Sequence, residues 1–335
     1  MTAATMAAPS TTRALWFRRA LDAALVEEPL ASPPEGFSTV RAVASAVSPG
    51  TERLVFAGDV PAALRDTMRV PYMGGDFAFP LKYGYSVVGR VESSANAALR
   101  GRLVHLMHPH QDRVVVRDDD LFVVPDGIPA PRATLAANLE TAVNAVWDSG
   151  ASLGASCVVV GFGIVGSLIA RLVARTPGSR VVVCDTHAAK VALASRLGFA
   201  ACLPEDLTGT FDVAFHASAT SEGLQRSIDA VGLEGTIVEA SWYGTRGVEL
   251  NLGGTFHNQR KRIVATQVST IPATLRSRWS HRRRKELVFE LLRDAAFDAH
   301  ITETVAFADL ARWFNEGGLE RPGLARVVDY GSGEA

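Results

Sequence analysis

Three glycines at the spacing Gly161-Phe162-Gly163-Ile164-Val165-Gly166 directly follow the apolar run Val158-Val159-Val160. A strand, a glycine-rich turn and a helix in that order can cradle a pyrophosphate. Gly161 permits the tight turn, Gly163 lets the backbone approach the ligand, and Gly166 lets helix and strand pack closely. The first helical amides, from Ile164 and Val165 onward, then carry the positive end of the helix dipole toward the phosphates. A second apolar run ends in Asp185, at the distance past the glycines where an acid meets a ribose. A carboxylate there accepts from both ribose hydroxyls and repels a 2′-phosphate, which predicts NAD rather than NADP as cofactor; His187 and Lys190 work against that preference. Two plainer readings stay open: a glycine-rich turn that binds nothing, and an Asp185 that caps the following helix.

Other side chains offer chemistry of lower specificity. Ser241, Trp242 and Tyr243 close a later strand, at the carboxyl edge where open α/β sheets bind ligands, and they either line a pocket or simply end the strand. The run Arg276, Arg278, Trp279, His281, Arg282, Arg283, Arg284, Lys285 can grip a phosphate or an aromatic carboxylate, implying an acidic small-molecule substrate. It reads equally as the solvated start of a helix. The three cysteines, Cys157, Cys184 and Cys202, form no C-x-x-C pair, so neither a disulfide framework nor a four-thiolate zinc lobe follows from them, and a reducing cytoplasm is the simplest setting. A formal net charge of -1 gives no global pull toward nucleic acid or a membrane surface. Small molecules and copies of the chain itself are the expected partners.

The elements that must position these residues fall into two halves. At 335 residues the chain suits two domains, each able to bury a core. Residues 1–12 read as a disordered tail of small residues, and no run is long enough to span a membrane. Short apolar runs at 14–17, 37–47, 86–92, 102–106, 113–116 and 121–124, broken by Gly, Pro and acidic residues, predict an irregular, partly open barrel. A helical period over 131–147 leads into strands at 157–160, 180–185, 211–216 and 235–240, alternating with helices at 164–173, 188–197 and 222–231. That alternation predicts an α/β fold, a doubly wound parallel sheet covered on both faces. The domains are expected at 13–130 with 300–335, and at 131–299.

Three stretches resemble the medium-chain dehydrogenase/reductase superfamily. Ser48-Pro49-Gly50-Thr51-Glu52 is similar to its Cys-Gly-Thr-Asp segment, Gly84-Tyr85-Ser86-Val87-Val88-Gly89-Arg90-Val91 to its Gly-His-Glu-x-x-Gly-x-Val segment, and Leu139-Glu140-Thr141-Ala142 to the start of its connecting helix. The resemblance implies a Rossmann domain joined to a GroES-like, partly open β-barrel, and a homodimer formed near residues 263–271. Ser218, in Ala217-Ser218-Ala219-Thr220, falls in the loop that resembles the one passing the nicotinamide ribose, and Ser241 lies at the next strand's end. Where zinc-dependent members place a Cys, a His and a Cys or Glu, this chain has Ser48 or Pro49, Tyr85 and Glu140, one plausible ligand against the three that a catalytic zinc takes. No metal is expected; His108 and His110 are the residues that could help to hold one, and they read more simply as holding a loop or touching substrate. Hydrogen-bond donors must then stabilise the oxygen on which charge develops, which points to Tyr85 as proton donor or acceptor and Thr51 as relay, with Glu140 and Glu52 as tuning carboxylates. Tyr85 acts as a base near neutrality only beside a cation such as Lys82 or the oxidised nicotinamide; otherwise it is a packing residue in the vacated metal site. The Gly-Thr-Glu variant and residues 279–284 resemble the branch of bacteriochlorophyllide hydroxyethyl dehydrogenases, although Ser86 stands where that branch keeps a Glu. The readings carried forward are an NAD-dependent, zinc-independent alcohol/carbonyl oxidoreductase, a non-catalytic nicotinamide-binding sensor or scaffold, and an enone reductase.

Overall fold

Side chains alternating between apolar and polar set much of the early sequence into antiparallel strands. The computed structural model describes residues 11–331. Along the chain run β1 (Thr11–Arg19), β2 (Asp22–Pro29), β3 (Phe37–Val47), α1 (Pro49–Ala57), β4 (Gly74–Gly75), β5 (Leu81–Lys82), β6 (Val87–Ser94), β7 (Leu103–Leu106), β8 (Arg113–Arg117), β9 (Phe122–Val123) and α2 (Ala130–Ala133). There follow α3 (Ala136–Ser149), β10 (Ser156–Val160), α4 (Ile164–Ala174), β11 (Arg180–Cys184), α5 (Ala188–Arg196), β12 (Ala200–Cys202), β13 (Phe211–His216), α6 (Ser221–Ala230) and β14 (Val231–Glu239). The last elements are α7 (Thr255–Asn258), β15 (Arg262–Ala265), α8 (His281–Leu292), β16 (Ile301–Ala306), α9 (Leu310–Asn315) and β17 (Ala325–Asp329). They form two compact units. One takes the chain up to Thr134 with Thr304–Glu320 and the stretch from Val327; the other takes Leu135–Glu303 and Arg321–Arg326.

In the first unit a four-stranded sheet runs β2-β1-β5-β4, and a larger sheet runs β16-β17-β3-β6-β7-β9 with β8 also paired to β3. Val40, Val87, Val91, Val104, Leu106, Val114 and Val116 meet in one apolar cluster, because alternate residues of β3, β6, β7 and β8 point to one face. Two elements escape the sequence reading. β2 carries Asp22, Glu27 and Glu28 around a short apolar run and pairs along β1, and α1 begins where Pro49 and Gly50 break the strand pattern. Pro49 suits a first helical position, and Gly58, at φ 80°, ends the helix, its amide donating back to the Val55 carbonyl and the Asp59 amide to the Leu54 carbonyl. Of the expected tail, residues 1–10 lie outside the described residues, while Thr11 and Thr12 already belong to β1.

The second unit holds a parallel sheet ordered β12-β11-β10-β13-β14-β15, so successive strands add outward to one side of β10 and then to the other. That reversal makes a switch point at the carboxyl ends of β10 and β13. Cys157, Val158 and Val159 are fully buried, as a strand covered on both faces requires. The helix expected over 131–147 is two helices, α2 and α3, parted at Thr134, whose hydroxyl turns back to the Pro131 carbonyl at 2.6 Å. Among the described residues no helix is long and apolar enough to cross a membrane.

Candidate functional site

Gly161 sits at φ +100°, and a Cβ there would lie 2.6 Å from the Ser218 amide nitrogen, so the turn admits glycine alone on both counts. A Cβ on Gly166 would stand 2.0 Å from the Gly161 carbonyl oxygen, the closest approach of α4 to the turn. At Gly163 a Cβ would meet nothing within 4 Å. Gly163 also opens α4 with no side-chain cap, which leaves the first-turn amides that Ile164 and Val165 begin to a ligand from outside. Asp185 is 6% exposed and braces the same turn, its carboxylate accepting from the Phe162 amide at 2.7 Å and the His187 amide at 2.9 Å. Lys190 stands 3.7 Å away. A carboxylate has acceptor sites beyond those two, so bracing the turn and receiving a ribose hydroxyl are compatible.

Ser218 and Ser241 meet beside this turn, yet their hydroxyls face inward. Ser218 Oγ is 2.7 Å from His216 Nε2 and 3.0 Å from Thr220 Oγ1, and Ser241 Oγ accepts from the Ala219 amide at 3.0 Å. It is the Ser218 backbone that borders the glycine turn. His216, which carries no signal in the sequence beyond its place at a strand end, joins Glu239 at 2.8 Å across the ends of β13 and β14. Tyr243 donates its hydroxyl to the same carboxylate at 2.9 Å.

In the first unit α1 and the segment before β6 bring Ser48, Thr51 and Tyr85 together. The half-buried Tyr85 phenol is pushed up to about 12 by burial, while the Ser48 and Thr51 hydroxyls bonded to it pull the other way and Glu52 adds to the rise. Tyr85 therefore holds its proton at neutral pH. Lys82 gives no help toward a base: its ammonium is committed to Glu28 at 2.7 Å and to Gln111 at 2.9 Å. Beneath lies an enclosed chain in which Glu52 accepts the Ser48 amide at 2.7 Å and meets His110 Nε2 at 3.1 Å. His110 Nδ1 reaches Ser45 Oγ at 2.7 Å, and Ser45 reaches the Tyr330 hydroxyl at 3.0 Å. No spacing rule joins Ser45, Glu52, His110 and Tyr330. Among the described residues no group of three or more His, Cys, Asp or Glu side chains could hold a metal ion, and the pair Glu52 and His110, spent on each other, does not fit a catalytic zinc.

Glu140 lies on α3 in the second unit and is enclosed between two cations of α8, Arg284 at 3.3 Å and Lys285 at 2.5 Å. Burial lowers the Lys285 ammonium below its ordinary range, against the pull of Glu140. Arg284 also donates to Asn144 at 2.8 Å, and Arg283 stacks over Trp279 at 4.1 Å, so part of the basic run is spent inside the unit.

No family model matches the chain. D-guloside 3-dehydrogenase of Escherichia coli (strain K12) is 27% identical over 208 residues, covering 58% of this chain and 59% of the relative. The chain thus spans about three fifths of the length of that curated relative, with the same figures for its Shigella flexneri counterpart. L-idonate 5-dehydrogenase from Escherichia coli superposes with a TM-score of 0.79 at 14% identity, over 96% of this chain and 99% of the other. Acetophenone reductase from Geotrichum candidum, solved in complex with NAD, superposes with a TM-score of 0.76 at 15% identity, over 96% and 98%. The chain has the fold of these oxidoreductases. At such identities the likeness speaks for architecture alone, and it extends over both units.

Proposed function

We propose that this chain is an NAD-dependent oxidoreductase of the medium-chain dehydrogenase/reductase superfamily that interconverts an alcohol and a carbonyl without zinc. The observation that carries it is the uncapped start of α4 behind Gly161 and Gly163, with Asp185 held against the same turn. Gly161, Gly163 and Gly166 would make room for the pyrophosphate, the amides from Ile164 and Val165 would bind it, and Asp185 would receive the adenosine ribose. A nicotinamide dinucleotide, when bound, supplies the hydride acceptor or donor. Tyr85 gives its proton to the oxygen of the carbonyl as that oxygen gains charge, and the Ser48 and Thr51 hydroxyls steady the phenolate left behind. The pairing of Glu140 with Arg284 and Lys285 supports a structural role for that acid, holding α3 on α8. A GroES-like first unit, a homodimer formed near residues 263–271 and a small, acidic or neutral substrate belong to the same proposal. The curated relative's name favours a polyhydroxylated secondary alcohol as substrate class.

Purified protein mixed with NAD+ and a panel of secondary alcohols and glycosides, or with NADH and the matching carbonyls, should change the reduced-nicotinamide absorbance with at least one pair. Calorimetry that detects no binding of NAD+, NADH or their phosphorylated forms would overturn the proposal.

A further inference from the structure

Glu239 closes β14 at the carboxyl edge of the parallel sheet, in register with His216 on β13. Three donors converge on its carboxylate. His216 Nδ1 lies 2.8 Å from Oε2 and 3.0 Å from Oε1, the Tyr243 hydroxyl donates to Oε2 at 2.9 Å, and the Ser241 amide donates to Oε1 at 2.7 Å. With Nδ1 donating and Nε2 accepting from Ser218, both sides of the imidazole are satisfied. The Glu239 side chain is 13% exposed, and among the described residues its partner within ion-pair reach is this histidine, with no lysine or arginine beside it. Burial raises the carboxyl, but the His216, Ser241 and Tyr243 bonds together bring it below its ordinary range. The result is an anion fixed in place before any ligand arrives.

Its position along the sheet gives that charge a use. Asp185 follows β11, on one side of β10; β13 and β14 lie on the other. A dinucleotide laid across the carboxyl ends with its adenosine sugar at Asp185 must carry its other end toward β13 and β14. Strands lie about 4.8 Å apart, so β14 is about 10 Å from the strand bearing the glycine turn, within the reach of an extended dinucleotide. We propose that Glu239 selects the redox state of the cofactor, its fixed carboxylate holding the cationic ring of NAD+ more tightly than the neutral ring of NADH. This rests on the cofactor reading above and adds a direction to it: stabilising the oxidised ring makes bound NAD+ a weaker hydride acceptor and biases the bound couple toward giving hydride to a carbonyl.

The test is a pair of dissociation constants, measured by calorimetry at neutral pH for NAD+ and NADH on wild type, Glu239→Gln and Tyr243→Phe. One charge in a partly screened site should shift the ratio about fivefold, so Glu239→Gln should lose that factor of preference for NAD+ while Tyr243→Phe stays within about twofold of wild type. Should the amide variant fail to fold, as judged by circular dichroism, Glu239→Gln combined with Tyr243→Phe leaves two donors for the one amide oxygen and gives the same readout. Both cofactors binding with an unshifted ratio overturns redox selection and leaves the cofactor site standing. Wild-type protein that binds neither overturns the cofactor reading and this inference together.

Discussion

Removing one oxygen from Tyr85 leaves its ring in place and takes away the proton that the Ser48 and Thr51 hydroxyls are arranged around. Tyr85→Phe should therefore lower kcat by about 10²–10⁴-fold, the usual worth of a positioned proton donor, while the dissociation constant of NAD+ stays unchanged. Steady-state turnover at saturating cofactor, set beside calorimetry, separates the two; an unaltered kcat would make Tyr85 a packing residue. Residues of this kind differ in how much of their role the sequence announces. The glycine turn and Asp185 are legible because strand, turn, helix and acid follow one another along the chain. Lys82 misleads, since three positions from Tyr85 it reads as a neighbour, whereas its partner Glu28 is 54 positions away. Ser218 and Ser241 stand near the turn as their positions suggest, but only the fold shows that His216 and the Ala219 amide take up their hydroxyls.

Between elements, the contact that matters most to the second unit is the one Glu140 makes between α3 and α8. Arg284 and Lys285 are each 3% exposed, so truncating their shared carboxylate takes from both enclosed cations the acid that they face. Glu140→Ala should cost about 3–5 kcal/mol of stability, the range for breaking a buried ion pair from one side. Chemical denaturation reads this directly, and a variant of full stability that has lost turnover would return Glu140 to the chemistry. The link between them spans 144 positions, which is why the helix bearing Glu140 could be read from its period while its clamp could not. Element by element the same division holds. β10, β11, β13 and the latter part of β14 are legible because strands covered on both faces carry nearly continuous apolar runs, here 157–160, 181–184, 213–215 and 237–238. β2 is hidden because it keeps polar residues while pairing along β1, and α1 because Pro and Gly at its start signal a turn as readily as a first helical residue.

Across the whole molecule, eight histidines look alike in the sequence; five of them, His105, His108, His110, His216 and His300, are buried, and in two of the five burial holds the imidazole well below its ordinary range. His108, in the first unit, is 5% exposed, and His300, in the second, is 1% exposed. Burial holds His108 down to about 3, with Lys82 and His110 adding to it against the Pro109 carbonyl, and holds His300 down to about 4 with help from Arg171, both from an ordinary value of 6.5. A folded-state value below the unfolded one means the native protein keeps these imidazoles neutral while the unfolded chain takes up protons. Above pH 6.5 neither state binds them and stability is unaffected; from 6.5 down toward 4 the unfolded state gains protons that the folded state refuses, so stability falls as pH falls. Each histidine contributes a slope of about 1.4 kcal/mol per pH unit in that window. Because one lies in each unit, both units should soften together on mild acidification, before most carboxylates begin to titrate. Thermal melts stepped from about pH 7 to about pH 5 should show a steady loss of melting temperature, and His300→Gln should remove one histidine's share of the slope. A melting temperature that holds level over that range would mean that neither imidazole is kept neutral by burial, and that the packing around His108 and His300 admits the proton.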